Sequence, residues 1–158
     1  MGSEQHQAFM REAIRLMRQA GVIDRSGTPF GALVVKDGDV LAACVNTVMR
    51  DNDPSAHAEV NAIREACRRI GSWDLSGCVL YTSCQCCPMC YSAARWARIE
   101  KVYHAAAWQD YDDLFSDREI SEDLARPDPL KTLAPEELLR AEAQQVWREY
   151  RALAAPPG

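Results

Sequence analysis

A layered α/β domain, with helices on both faces of a central sheet, is the fold this sequence predicts, and three observations predict it. Apolar residues recur at three- and four-residue spacing in the opening segment and again after Ser55. Two short apolar runs flank an Asp-Gly pair. Beyond them strand-like and helix-like segments alternate as far as Ala106. At 158 residues the chain suffices for one domain with its own core, so a single unit over 1–158 is expected.

Taken in order, Phe9, Ala13, Leu16, Met17 and Ala20 line one face of an amphipathic helix that is expected to stop at Gly21. Pro29 to Val35 and Val40 to Val45 read as two strands joined through Lys36-Asp37-Gly38-Asp39, a hairpin. Asp51-Asn52-Asp53-Pro54 is turn chemistry, and Ser55 is placed to cap a helix from Ala56 to Ile70 that Gly71 ends. His57 and Glu59 then fall in its first turn. Cys78 to Thr82 is a short buried strand, Pro88 opens a helix through Ala97, and Lys101 to Ala106 is another strand. From Asp110 to Asp123 an acidic loop with a short helix is expected, then a turn over Arg126 to Pro129 and helical periodicity from Pro135 to Leu153. The last five residues, Ala-Ala-Pro-Pro-Gly, are expected to fray.

Composition excludes several classes. Hydrophobic residues at 47% and charged residues at 26% match globular usage and fit neither a disordered nor a membrane chain. The first twenty residues lack the apolar core of a secretion signal, and no apolar run is long enough to span a bilayer, so a cytoplasmic address is expected. Eighteen basic against twenty-three acidic residues give a net charge of −5 with no basic stripe, which argues against a nucleic-acid substrate. Seven cysteines is an odd number, and Cys84, Cys86, Cys87 and Cys90 crowd together, so a metal site is favoured over a disulfide framework. Cys44, Cys67 and Cys78 read as small buried apolar residues, and His6 and His104 as bland.

The chemistry concentrates at two predicted helix starts. His57-Ala58-Glu59 offers an imidazole and a carboxylate two residues apart, and Cys87-Pro88-Met89-Cys90 offers two thiolates spaced to grip one ion. A zinc ion with three protein ligands and an open position brings water to a pKa of about 7. A carboxylate that is not a ligand can then carry protons from that water to a ring and its departing amine. H-x-E followed by P-C-x-x-C is the known signature of zinc deaminases. A closed structural site is the competing reading, with Cys84 or Cys86 as fourth ligand, and it would abolish water activation.

On these residues the chain resembles the cytidine-deaminase-like fold, and within it the bacterial guanine deaminases. The resemblance runs from the first helix to about Ile120 and is densest in Pro29-Phe30-Gly31-Ala32, Asn46, Asn52 through Val60, Ile63-Arg64, Tyr81 through Cys84, and Cys87 through Arg98. Thr82-Ser83-Cys84 is similar to guanine deaminases, where tRNA adenosine deaminases show Thr-Leu-Glu and cytosine deaminases Thr-Leu-Ser. The resemblance implies a three-layer α/β/α sandwich on a mixed sheet. It further implies zinc held by His57, Cys87 and Cys90, Glu59 as the proton shuttle, and guanine as substrate. Asn46 and the backbone of Ala58 would meet the ring, Phe30 and Trp96 would line its pocket, and Asp113, within Tyr111-Asp112-Asp113-Leu114-Phe115, would be a second proton carrier. A homodimer is implied too, its C-terminal segment of about 110–158 crossing to close the partner's site.

Read without the family, Asn46 is equally a strand-end turn residue, Phe30 and Trp96 are plain core, and Asp113 belongs to a solvated acidic face. The sequence also departs from the family at the site: Gln85 and Cys86 stand where Glu-Pro is usual. Cys86 is read as a spectator, because adjacent residues of an extended chain point opposite ways. Loss of the carboxylate at Gln85 leaves room for another amino-heterocycle: an aminotriazine, cytosine, a nucleoside or a secondary metabolite. A zinc-stabilised module without activity is the alternative from another class.

Overall fold

The computed structural model describes residues 2–153, so the expected frayed tail lies outside the described residues. The chain divides into two compact units, one ending at Arg118 and the other beginning at Glu119.

The first unit is built on a four-stranded mixed sheet of order β2-β1-β3-β4. Its strands are β1 (Gly31–Lys36), β2 (Asp39–Val45), β3 (Cys78–Cys84) and β4 (Lys101–Ala106). β1 pairs antiparallel with both β2 and β3, and β3 pairs parallel with β4. The hairpin falls where the sequence puts it: Asp37 and Gly38 take φ of 51° and 92°, the two left-handed residues that suit the twist of paired strands.

Strand alternation sorts the core into two layers. Ala32, Val34, Cys78 and Leu80 face one side, against α3 (Ala58–Ile70) and α4 (Pro88–Trp96), with Ala58, Ala62, Ile63, Ala66 and Ala94. Leu33, Val35, Val79 and Tyr81 face the other, against Ala13, Phe9, Met10 and Leu16 of α1 (Ser3–Arg18). This is the expected α/β/α sandwich, and the all-buried β3 runs through its centre. A short helix, α2 (Val48–Asp51), leads from β2 toward α3.

Four expectations need correction. The first helix does not stop at Gly21; after Arg18 the chain widens into a π turn over Gln19–Ile23, where Asp24 N–H reaches the Gln19 carbonyl at 2.8 Å. Gly21 is there for close approach, since a Cβ would stand 2.5 Å from the Pro29 Cβ. Ser55 does not cap α3 either, because both its N–H and its hydroxyl donate to Asp53 Oδ1, at 2.8 and 2.6 Å. His57 is the N-cap residue instead, while Gly71, at φ 73°, ends the helix as expected. Nor is His6 bland: its Nδ1 lies 2.6 Å from the hydroxyl of buried Tyr81, which stacks on Tyr103. Of the three cysteines read as buried, only Cys78 is fully so; Cys44 and Cys67 are half-buried.

The second unit contains most of α5 (Arg118–Leu124), a 3-10 turn at Asp128–Leu130 and α6 (Arg140–Arg151). Asp123 accepts from the Thr132 N–H at 2.9 Å and its hydroxyl at 3.1 Å, which closes the expected turn. The last helix begins only at Arg140, later than the periodicity suggests, because Leu139 sits in the left-handed region at φ 55°. Among the described residues no helix is long and apolar enough to cross a membrane.

Candidate active site

α3 and α4 each begin where extended backbone turns into helix, and each opens on a donor side chain. His57 is the N-cap of α3, and Cys87 is the N-cap of α4 with Pro88 in the first helical position. The His57 Nδ1 lies 3.6 Å from Cys87 Sγ and 3.5 Å from Cys90 Sγ, and all three donor atoms lie within 4.8 Å of one another. Zinc bonds of about 2.0–2.3 Å in tetrahedral geometry put neighbouring donors about 3.5–3.8 Å apart. The separations therefore fit zinc without rearrangement.

The protonation of the donor set points the same way. A hydrogen bond with the Cys90 thiol, a bond to His57 and the N–H of Cys90 draw the Cys87 thiol down to about 4, against the opposing effect of burial. Cys90 is driven up, first by sharing its proton with Cys87 and then by burial. The Cys87 bond raises His57, which burial opposes. Two sulfurs and an imidazole so grouped are a donor set that would hold a divalent cation, whose charge would let the second thiol ionise as well.

Neither Cys84 nor Cys86 joins this group. Cys84 receives the Ser83 hydroxyl at 3.6 Å, while Cys86 packs against the core layer beneath α3. Burial, then the charges of Glu59 and Cys87, raises the Cys86 thiol and keeps it protonated. The geometry offers three protein donors rather than four, which is the arrangement that leaves an open position.

Glu59 lies two residues into α3 and is only 4% exposed. Burial raises its carboxyl, its own N–H partly opposes this, and the Thr82 hydroxyl donates to Oε1 at 3.2 Å. Ala58, the first residue of α3, is fully buried beside it. Phe30 packs edge-on to Tyr111 and Phe115, with centroids 5.8 and 5.5 Å away, and its carbonyl accepts the Asn46 N–H at 3.2 Å. Asn46 Oδ1 accepts from the Val48 N–H at 3.1 Å, as a strand-end turn residue does.

Two residues expected at the site are not brought to it. Trp96 is 82% exposed at the last position of α4, which excludes the plain-core reading. Six residues beyond Cys90, it is turned about 240° around the helix and carried about 9 Å along it. Asp113 is exposed in the turn after β4. Three residues missed from the sequence stand closer. Thr82 lies on the face of β3 that α3 covers, and its place was legible from the alternation Cys78, Leu80, Thr82. The Tyr111 hydroxyl donates to the Gln85 carbonyl at 3.3 Å, and burial raises its pKa above the usual tyrosine range. Asp117 has a buried Oδ2 with no partner; burial raises its carboxyl, Cys87 adds to the rise and His57 opposes it. No sequence spacing marks Asp117.

Fold, donor set and spacing together define a class, the zinc-binding deaminases. The chain belongs to the cytidine and deoxycytidylate deaminase zinc-binding family, whose zinc-binding region matches residues 3–106. Guanine deaminase of Bacillus subtilis is 40% identical to it over 149 residues, covering 92% of this chain and 95% of that protein. A crystal structure of Bacillus subtilis guanine deaminase superposes with a TM-score of 0.85 at 37% identity, over 99% of this chain and all of that one. The tRNA-specific adenosine deaminase of Aquifex aeolicus is 41% identical over 98 residues, covering 62% of this chain and 64% of its own.

Proposed function

We propose that the chain hydrolyses a free aminopurine base, converting guanine and water to xanthine and ammonia. The three-donor group with a buried carboxylate beside it is the observation that carries this reading. The similarity to a guanine deaminase along nearly the whole chain supports the choice of ring.

His57, Cys87 and Cys90 hold the metal in this reading. Zinc, when bound, supplies the Lewis acidity that makes water a nucleophile at neutral pH. Glu59 does the proton work. Its carboxylate takes a proton from water, passes one to the ring nitrogen beside the attacked carbon, and then delivers one to the departing amine; the C–O bond forms and the C–N bond breaks. Its burial suits a group that must both accept and release protons near neutrality. Asn46 and the Ala58 backbone orient the ring. Phe30, in its cluster with Tyr111 and Phe115, offers an aromatic wall. The resemblance assigns the second proton carrier to Asp113 and a pocket-lining role to Trp96. The buried, unpartnered Oδ2 of Asp117 makes it the rival for the former role.

The acting form in this proposal is a homodimer whose C-terminal segment crosses to the partner. The second unit supports it, since Leu133, Leu138 and Val146 are 88%, 84% and 63% exposed and none of its described residues is buried. An apolar surface of that kind suits an interface, and the crossing segment would cover it with the second copy.

The test is ammonia release by the zinc-loaded protein from guanine, beside cytosine, an aminotriazine, guanosine and an anticodon stem-loop. Guanine turned over fastest supports the proposal; turnover of the stem-loop or a nucleoside instead redirects it, and no release from any of them refutes it. Light scattering of the same sample decides between one copy and two.

A further inference from the structure

We propose that Thr82 is the positioning residue for Glu59, its single hydroxyl aiming the carboxylate that the proposed reaction needs; this rests on the role given to Glu59 above. The backbone of Thr82 is pinned on both sides, paired with Ala32 of β1 and His104 of β4, and the residue is 2% exposed. Strand alternation turns its side chain toward α3 with those of Cys78 and Leu80. There Oγ1 stands 3.2 Å from Glu59 Oε1 and 2.9 Å from the Cys84 carbonyl oxygen. Among the described residues it is the side chain that hydrogen-bonds Glu59.

A hydroxyl has one proton and two lone pairs, and this one faces a carboxylate and a fixed carbonyl. Oγ1 bridges the two, so it ties the Glu59 carboxylate to a carbonyl that the sheet holds in place. The carbonyl fixes the rotor, because a β-branched side chain has few rotamers in a strand. Filling space would need no hydroxyl; valine has nearly the same shape and greater apolarity, and would suit a wholly buried strand better.

The experiment compares Thr82→Val with Thr82→Ser, in zinc-loaded protein, by kcat and KM on guanine, zinc per chain, and a crystal structure of each. The valine variant should hold one zinc, keep KM within about threefold and lose about tenfold to a hundredfold in kcat, with the Glu59 carboxylate turned from its native position. The serine variant should stay within about threefold of native kcat with Glu59 in place. Native kcat in the valine variant overturns the proposal, and so does a serine variant as slow as valine, which would give the role to the methyl group. If valine does not fold, Thr82→Ala makes the same comparison with serine. Should the native protein release no ammonia from any substrate, the proposed function fails separately, and the crystal structures still decide: an unmoved Glu59 in the valine variant overturns the positioning role.

Discussion

Replacing Glu59 by glutamine isolates the proton-carrying role from everything else the side chain does. Glutamine has the same shape, and its amide oxygen can accept the Thr82 hydroxyl as Oε1 does at 3.2 Å. The donor group of His57, Cys87 and Cys90 does not include Glu59, so zinc content should stay at one per chain. The fold should not suffer either: burial disfavours the ionised carboxylate, and removing a charge from a site only 4% exposed relieves that cost. What is lost is the ability to take and return a proton. General acid–base catalysis by one positioned group contributes about 10²–10⁴ in rate, which at 1.36 kcal/mol per tenfold corresponds to about 2.7–5.4 kcal/mol of barrier. Steady-state ammonia release at saturating guanine measures it, with zinc by atomic absorption on the same sample. A Glu59→Gln protein that keeps one zinc and retains kcat within about threefold of native would refute the assignment of Glu59 as the carrier.

Three further outcomes are expected. Chelation of zinc should stop ammonia release and lower the melting temperature while leaving far-ultraviolet circular dichroism close to native, because both core layers close without the site; a full loss of helical signal would contradict this. Asp113→Asn and Asp117→Asn should separate the two candidate carboxylates, and the one whose loss slows turnover more is the second carrier. For Asp117 burial raises the folded carboxyl above its ordinary value, so the native state binds more protons there than the unfolded chain. Stability from this residue is then present at low pH and lost as pH rises through the folded value, and Asp117→Asn should be no less stable than native by urea titration at pH 7. Gly21→Ala should destabilise by about 1–3 kcal/mol by overpacking, since its Cβ would meet backbone Pro29 Cα at 2.7 Å; a gain in urea midpoint, the usual result of alanine in a helix, would show that Pro29 yields.

The metal group was legible because its geometry is local. Each donor stands at or next to a helix start, Pro88 and the turn at Asp51–Pro54 mark those starts, and three residues from Cys87 to Cys90 is nearly one turn. The hairpin and the two-faced sheet were legible for the same reason: Asp37-Gly38 fixes a turn, and alternation along β1 and β3 says which side chains meet which helix. Helix ends were less so. Ser55 and Gly21 carry the residue types of a cap and a stop, yet Asp53 claims the first and Pro29 packs on the second. Those partners lie two and eight residues away, beyond what a propensity can register.

The substrate side was hardest to read, and the difficulty is physical. Asn46, Phe30 and Trp96 are residue types that serve a core or turn as readily as a ring, and only packing decides between the two uses. Packing gives Phe30 an aromatic cluster, occupies the Asn46 side-chain Oδ1 with the Val48 N–H, and leaves Trp96 open to solvent. After β4 the acidic run Asp110, Asp112, Asp113, Asp117 has no periodicity to rank its members, so burial alone singles out Asp117. An unpartnered buried carboxylate costs stability and persists where a ligand supplies the missing donor. A purine presents N–H groups on its ring and amine, and Glu59, held by Thr82, with Asp117, whose Oδ2 is open, would let one site donate and accept protons at two places on it. One comparison tests that requirement: if Asp117→Asn impairs guanine more than cytosine, the second carboxylate reads the purine, and if both fall alike it serves the reaction they share.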